Sequence, residues 1–156
     1  MKKLYIAIAL LVVILDQATK YLVNNYISPF RTIEILPFLH LVNIRNTGTA
    51  FGMFRDWGNG IFIIISLAAI AVIFFMLIKG KEDPLSLSLI LGGAIGNLID
   101  RIFRGSVVDF IDVFASGHHW PAFNVADSAL TIGIGLIFIT LFKPKGSRIK
   151  NASGIN

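Results

Sequence analysis

The sequence predicts an all-α membrane protein with four transmembrane helices, a small extracytoplasmic β-sheet and a short outer loop or helix. Of its 156 residues, 55% are hydrophobic and 15% are charged, whereas soluble domains carry about 25% charged residues. The mean hydropathy of +0.76 points the same way. Four apolar segments separated by polar connections account for these averages. We therefore expect a single membrane domain that covers 1–156.

Each of the four segments approaches the roughly 20 residues that a helix needs to cross a hydrocarbon core of about 30 Å. The segments cover 4–23, 60–78, 85–103 and 122–142. The first follows two lysines, as the apolar region of a secretory signal peptide does. It lacks a small-x-small cleavage site, however, and it contains Asp16 and Lys20. We therefore expect it to remain as an uncleaved helix.

The net charge of +5 is divided unevenly between the two sides that four crossings define. Eight basic residues fall on the side of both termini, namely Lys2, Lys3, Lys79, Lys81, Lys143, Lys145, Arg148 and Lys150. Four fall on the opposite side, namely Arg31, Arg45, Arg55 and Arg104. Because cytoplasmic loops are enriched in lysine and arginine, both termini are expected in the cytoplasm. This placement explains the basic character without a nucleic-acid partner.

The connections differ in length and composition. The outer loop 24–59 contains β-branched runs at 32–36 and 39–44 between turn residues, which predicts the small sheet. A second outer loop covers 104–121, and the basic tail 143–156 is expected to be disordered. No cysteine occurs, which excludes disulfides, thiolate nucleophiles and cysteine-based metal sites.

Polar residues interrupt three of the four apolar segments, and they share one depth in the bilayer. They are Asp16, Asn97, Asp100, Arg101, Asn124 and Asp127. The first and third segments run outward and the fourth runs inward, so all six lie toward the outer face, close to Asp109 in the second outer loop. A charge near the bilayer centre costs at least ~2.5–3.5 kcal/mol. We therefore expect this layer, including the Asp16 and Lys20 pair on one helix face, to point into the bundle.

Carboxyl groups at one depth in a water-accessible pocket can hydrolyse a peptide bond by acid–base catalysis. When two such groups lie close together, one ionises and the other retains a proton, so one can activate water while the other polarises the carbonyl. The candidate carboxylates are Asp16, Asp100, Asp109, Asp112 and Asp127. Their depth alone does not select two of the five. The chain has no H-E-x-x-H and no G-x-S-x-G motif, so zinc and serine hydrolases lack motif support.

Five motifs between residues 16 and 128 resemble those of the signal peptidase II, or lipoprotein signal peptidase, family. They are D-Q-A-T-K at 16–20, N-I-R-N-T-G-T-A-F-G at 43–52, G-G-A-I-G-N-L-I-D-R at 92–101, V-V-D-F at 107–110 and W-P-A-F-N-V-A-D-S at 120–128. Each motif is weak alone, whereas five in the order and spacing of the family form a specific pattern.

This resemblance implies an intramembrane aspartyl protease that removes the signal peptide from diacylglyceryl-modified prolipoproteins, just before the lipidated cysteine. It implies that Asp109 and Asp127 form the catalytic pair. It further implies substrate binding or site support by Asp16, Lys20, Asn46, Gly93, Asn97, Arg101 and Asn124. From it we expect a monomer of the bacterial cytoplasmic membrane that contacts membrane lipid, uses no metal or cofactor, and has its active site near the extracytoplasmic face. The long outer loop is expected to act as a mobile lid, because an enclosed site must admit a large lipopeptide.

Some roles and functions stay open. Asp16 and Lys20 fit a structural pair better than catalysts, Gly93 also fits close helix packing, and Arg101 either orients the catalytic pair or binds a lipid phosphate. A small proton-coupled carrier is one alternative function, since intramembrane acids often mark ion paths. Such a carrier needs polar residues in the inner half of the bundle, where the sequence offers almost none. A non-catalytic assembly subunit is the other alternative.

Overall fold

The computed structural model describes residues 2–48, 58–80 and 83–142, and in these ranges it contains four long helices and a four-stranded antiparallel sheet. In chain order the elements are α1 (Lys2–Tyr26), β1 (Ile33–Leu36), β2 (Leu39–Asn46), α2 (Gly58–Lys79), α3 (Pro84–Arg104), β3 (Val107–Ala115), β4 (His118–His119) and α4 (Val125–Phe142). Each helix is long and apolar enough to cross a membrane. The prediction of four such helices with a small sheet is confirmed. The tail 143–156 and the part of the outer loop at 49–57 lie outside the described residues.

Helix α3 is the centre of the bundle and packs against α1, α2 and α4. Its start is well defined, because the Asp83 side chain accepts a hydrogen bond of 2.8 Å from the backbone N–H of Ser86 and Pro84 occupies the first turn. It ends at Gly105, whose φ of 72° is the left-handed conformation that favours glycine. The central position explains why α3 buries about half of its residues, whereas Phe62 is the buried residue of α2.

Glycines bring the helix backbones close together. A Cβ atom on Gly93 of α3 would lie 2.5 Å from the backbone oxygen of Ala126 in α4. On the α4 side, a Cβ atom on Gly133 would lie 2.8 Å from the backbone oxygen of Ser86. Backbone atoms cannot move aside as flexible side chains can, so these two positions require glycine.

The sheet lies at the end of the bundle where α1 and α3 end and α4 begins. Its strands follow the order β1-β2-β3-β4, and β2 pairs with β3 so that Ile44 faces Asp109. Val108 and Phe110 of β3 pack with Val23 and Ile27 at the end of α1, forming a buried apolar cluster. Segment 120–123 returns along β3, where Phe123 exchanges backbone hydrogen bonds of 2.8 and 3.0 Å with Ile111. This return fixes the point at which α4 begins.

A buried ionic cluster joins α1 to α3 just below the sheet. The ammonium group of Lys20 lies 2.8 Å from Asp16 and 3.1 Å from Asp100, and all three side chains are fully buried. Arg104 contacts Asp100 from the opposite side. The cluster is therefore a structural tie between the two helices, in which Asp16 pairs with Lys20 and Asp100 pairs with both Lys20 and Arg104.

Gly133→Ala should destabilise the protein, whereas Gly135→Ala should not. The two glycines lie on the same helix, but a Cβ atom at Gly135 meets nothing within 4 Å. Overpacking a close contact typically costs about 1–3 kcal/mol. Thermal unfolding in detergent should therefore show a lower Tm for Gly133→Ala and an equal or higher Tm for Gly135→Ala. Equal Tm values for the two variants would contradict the proposed backbone contact between α3 and α4.

Lys20→Met should destabilise the protein strongly. The substitution removes the counter-charge and leaves two buried carboxylates facing each other, and breaking a buried ion pair in this way typically costs about 3–5 kcal/mol. Lys3→Met is the matched control, because Lys3 lies on the same helix and is exposed. Thermal unfolding in one detergent should show a lower Tm for Lys20→Met than for Lys3→Met. The prediction fails if both variants unfold at the wild-type temperature.

Candidate active site

The structure brings Asp109 and Asp127 to the wall of one cavity of about 750 Å³. The cavity also receives residues from β2, α2 and α3. Besides the two aspartates, its lining comprises Asn46, Gly48, Ile65, Ser66, Ala69, Ala94, Asn97, Arg101, Val107, Trp120, Pro121, Ala122, Phe123, Ser128, Leu130, Thr131 and Ile132. The lining is therefore polar around the two aspartates, and along α2 and α4 it combines apolar side chains with the hydroxyl groups of Ser66, Ser128 and Thr131.

Asp109 reaches the cavity from β3 and is only 2% exposed. Two amide groups hold its carboxylate. Asn46 of β2 donates a hydrogen bond of 2.9 Å to Oδ2, and Asn124 donates one of 2.7 Å to Oδ1. The side-chain oxygen of Asn46 accepts from the backbone N–H of Gly48 at 3.0 Å, so its NH₂ group has to point toward Asp109. Both oxygens of the carboxylate are thus fixed in direction.

Asp127 lies in the first turn of α4 and belongs to the cap of that helix. The Asn124 side chain accepts a hydrogen bond of 2.9 Å from the backbone N–H of Asp127. In return, Oδ2 of Asp127 accepts one of 3.2 Å from the backbone N–H of Asn124. This reciprocal pattern is a capping box. The other oxygen, Oδ1, accepts 2.8 Å from Asn97 of α3 and remains on the cavity side.

The environment of Asp109 favours its protonated form. Burial raises the pKa of the Asp109 carboxyl, and the negative charge of Asp127 raises it further, to about 6. The hydrogen bonds from Asn46 and Asn124 and the more distant charge of Lys20 lower the pKa but do not cancel the effect. A buried carboxyl group with a second carboxylate as neighbour is the arrangement in which two groups share one proton.

Of the five candidate carboxylates, the other three do not line this cavity. Asp16 and Asp100 bind Lys20, as described above. Asp112 lies farther along β3, where it contacts Nδ1 of His119 at 2.9 Å. Depth in the membrane does not distinguish these three carboxylates from Asp109 and Asp127. Their ionic and hydrogen-bond partners do distinguish them.

The predicted site residues of α3 lie in three places. Asn97 lies between the cavity and the ionic cluster, since its Oδ1 accepts 3.0 Å from Lys20 while its amide nitrogen donates to Asp127. Arg101 lines the cavity, donates 3.2 Å to the backbone oxygen of Gly48, and places its guanidinium 5.2 Å from the ring centre of Phe62. Gly93 lies at the contact between α3 and α4.

The sequence did not reveal the contribution of α2 to the cavity. Ile65, Ser66 and Ala69 line it, although the second segment carries no charge. Small residues within a segment that is otherwise rich in isoleucine and phenylalanine are the signal that could have indicated this face. Within the described ranges, no group of three or more histidine, aspartate or glutamate side chains is arranged to hold a metal ion.

Comparison with known proteins agrees with this geometry. A family model for signal peptidase (SPase) II matches residues 8–143. The lipoprotein signal peptidase of Thermodesulfovibrio yellowstonii is 51% identical over 126 residues, which are 81% of this chain and 86% of that protein. That of Halalkalibacterium halodurans is 41% identical over 155 residues, which are 96% of this chain and 99% of that protein.

Solved structures agree as well. A bacterial membrane enzyme determined by the in meso method at 2.3 Å resolution is 37% identical, with a TM-score of 0.85 over 95% of this chain and 93% of that one. A second, determined by the same method at 1.9 Å, is 39% identical, with a TM-score of 0.80 over 90% of this chain and 94% of that one. The match to the family model over most of the chain, together with these identities, shows that the chain belongs to the signal peptidase II family.

Proposed function

We propose that the chain is an aspartic endopeptidase of the bacterial membrane that removes signal peptides from lipid-modified prolipoproteins, with Asp109 and Asp127 as its catalytic pair. The observation that carries the assignment of the pair is that these two of the five candidate carboxylates line one cavity. The family relationship supports the substrate class, because the relatives are lipoprotein signal peptidases.

The chemistry follows from a pair that holds one proton. The ionised carboxylate takes a proton from a water molecule, and the oxygen of that water attacks the carbonyl carbon of the scissile bond. The protonated carboxyl gives its proton to the carbonyl oxygen, which yields a neutral tetrahedral intermediate. As this intermediate collapses, the first carboxyl passes its proton to the leaving nitrogen, the hydroxyl proton returns to the second, and the C–N bond breaks.

The amide side chains around the pair suit this chemistry. Asn46, Asn97 and Asn124 donate hydrogen bonds to the carboxylates without adding charge. These neutral donors fix the direction of each carboxylate, and the guanidinium of Arg101 lines the same cavity as the one nearby cation among the lining residues. The site is therefore preorganised before substrate arrives.

The apolar part of the cavity is the proposed binding groove for the signal peptide. Ile65 and Ala69 of α2, Ala94 of α3, and Leu130 and Ile132 of α4 line it. Side chains of this kind suit an apolar helix and the acyl chains of a lipid-modified residue, since they offer no polar group that either would leave unpaired. A substrate that lies here places its backbone beside the polar end of the cavity.

The position of the pair supports a site near the external face. Asp109 and Asp127 lie at the sheet end of the bundle, and Lys79 ends α2 at the opposite end. If the basic connection marks the cytoplasm, both termini are cytoplasmic and the sheet is extracytoplasmic.

Asp109→Asn and Asp127→Asn should each abolish cleavage of a lipidated precursor by the purified protein in detergent. Asparagine keeps the size of the side chain but can neither give up nor take the required proton. The expected loss is about 10²–10⁴-fold, the usual contribution of a general acid or base.

Asp112→Asn is the matched control, because Asp112 is also buried in β3 but lies outside the cavity. It should leave cleavage unchanged. Full activity in either Asp109→Asn or Asp127→Asn, with each variant shown to be folded, would reject the catalytic pair.

The pH dependence should report the shared proton. The pKa of Asp109 is raised to about 6, so the pair loses its proton as the pH rises through that value and kcat/KM should fall on the alkaline side. Bound substrate displaces water and buries the pair further, which raises the pKa again. The alkaline limb of kcat should therefore lie at a higher pH than that of kcat/KM. Steady-state profiles of both quantities test this, and a kcat limb at the same or a lower pH would contradict it.

A further inference from the structure

The two carboxylates of the ionic cluster bind backbone groups next to the catalytic pair. Oδ1 of Asp16 accepts a hydrogen bond of 2.9 Å from the backbone N–H of Ala126, the residue that precedes Asp127. Oδ2 of Asp100 accepts one of 3.0 Å from the backbone N–H of Val108, the residue that precedes Asp109. Each carboxylate therefore holds the backbone immediately before one proposed catalytic residue.

Lys20 links the carboxylates of Asp16 and Asp100 to each other. Its ammonium has three hydrogens, and it has three partners: Asp16 at 2.8 Å, Asp100 at 3.1 Å and the oxygen of Asn97 at 3.0 Å. Lys20, Asp16 and Asp100 are each fully buried. Since the third partner, Asn97, donates to Asp127, one ammonium group connects the supports of both catalytic carboxylates.

The two catalytic residues need such a connection because they come from different kinds of element. Asp109 belongs to a strand of the sheet and Asp127 to the first turn of a helix. The N–H groups in that first turn have no partner within the helix, so an external acceptor decides where the backbone lies. Hydrolysis by a pair depends on their separation, and a misplacement of 1 Å can lower the rate by about 10²-fold.

We propose that Asp16 and Asp100, linked through Lys20, are positioning residues that set the separation of the Asp109 and Asp127 carboxyl groups. This inference rests on the proposed catalytic role of Asp109 and Asp127. The ionic cluster that ties α1 to α3 would then also set the geometry on which the reaction depends. The lipid-modified substrate does not need to touch either positioning residue, because both act through a backbone N–H.

The test compares Asp16→Asn with Asp16→Ala, and Asp100→Asn with Asp100→Ala. Within each comparison both variants lose the negative charge, so both disturb Lys20 in the same way. Only asparagine keeps an oxygen within reach of the backbone N–H. The asparagine variants should therefore show a kcat at least about tenfold above that of the alanine variants, with KM near the wild-type value in all of them.

Asp16→Glu is the second variant if an alanine variant does not fold. It retains the charge and the pairing with Lys20, but its carboxylate lies one methylene farther out and cannot hold Ala126 in the same place. Its kcat should fall at least about tenfold, with little change in Tm or KM. Equal kcat for asparagine and alanine, or wild-type kcat in Asp16→Glu, overturns the inference.

Gln17→Leu is the structural control. Gln17 donates to Asp16 at 3.1 Å and to Asp100 at 3.2 Å, but it does not bind the backbone beside either catalytic residue. This variant should lower Tm and leave kcat unchanged. Asp109→Asn and Asp127→Asn are assayed beside it. If those two are inactive while the asparagine and alanine variants match, the positioning role fails and the proposed function stands, whereas activity in those two rejects the proposed function.

Discussion

The structure depends on one buried ammonium group. Lys20 lies within an apolar helix, is fully buried, and has two carboxylates and one amide as partners. Burying an unpaired ion inside a bilayer protein is costly, so these charges can exist only together. Because the partners belong to α1 and α3, this requirement fixes the two helices relative to each other. Helix α3 in turn packs against α2 and α4.

Next to this cluster, the same side chains cap a helix and orient the proposed catalytic pair. Asn124 and Asp127 cap α4 through reciprocal hydrogen bonds, and Asn124 also donates to Asp109. A helix cap is rigid because it satisfies backbone groups that have no other partner. A carboxylate that belongs to a cap is therefore held in one orientation, which is what acid–base catalysis requires. This double use explains why Asn124 and Asp127 lie at the start of α4.

The four helices and the strands of the first outer loop could be predicted from the sequence because membrane thickness and strand composition limit the choices strongly. Strands β3 and β4 lie in the segment 104–121, which was expected to be a loop or a short helix. The common depth of the polar groups could also be predicted. The choice of Asp109 and Asp127 among five carboxylates required the family resemblance, because depth along a helix does not reveal the side-chain partner. Asp16 and Asp100 resemble the pair in depth but face Lys20. The cavity residues of α2 were missed because apolar lining and lipid-facing surface have the same composition.

The arrangement also separates two kinds of carboxylate by the charge of their neighbours. Asp16 and Asp100 contact the ammonium of Lys20 directly. Asp109 accepts hydrogen bonds from two amides, and the uncharged Asn97 lies between Lys20 and Asp127. As a result, Lys20 lowers the pKa of Asp109 less than burial and Asp127 raise it. Asp16 and Asp100 thus hold backbone N–H groups beside Lys20, whereas Asp109 and Asp127 line the cavity among amide donors.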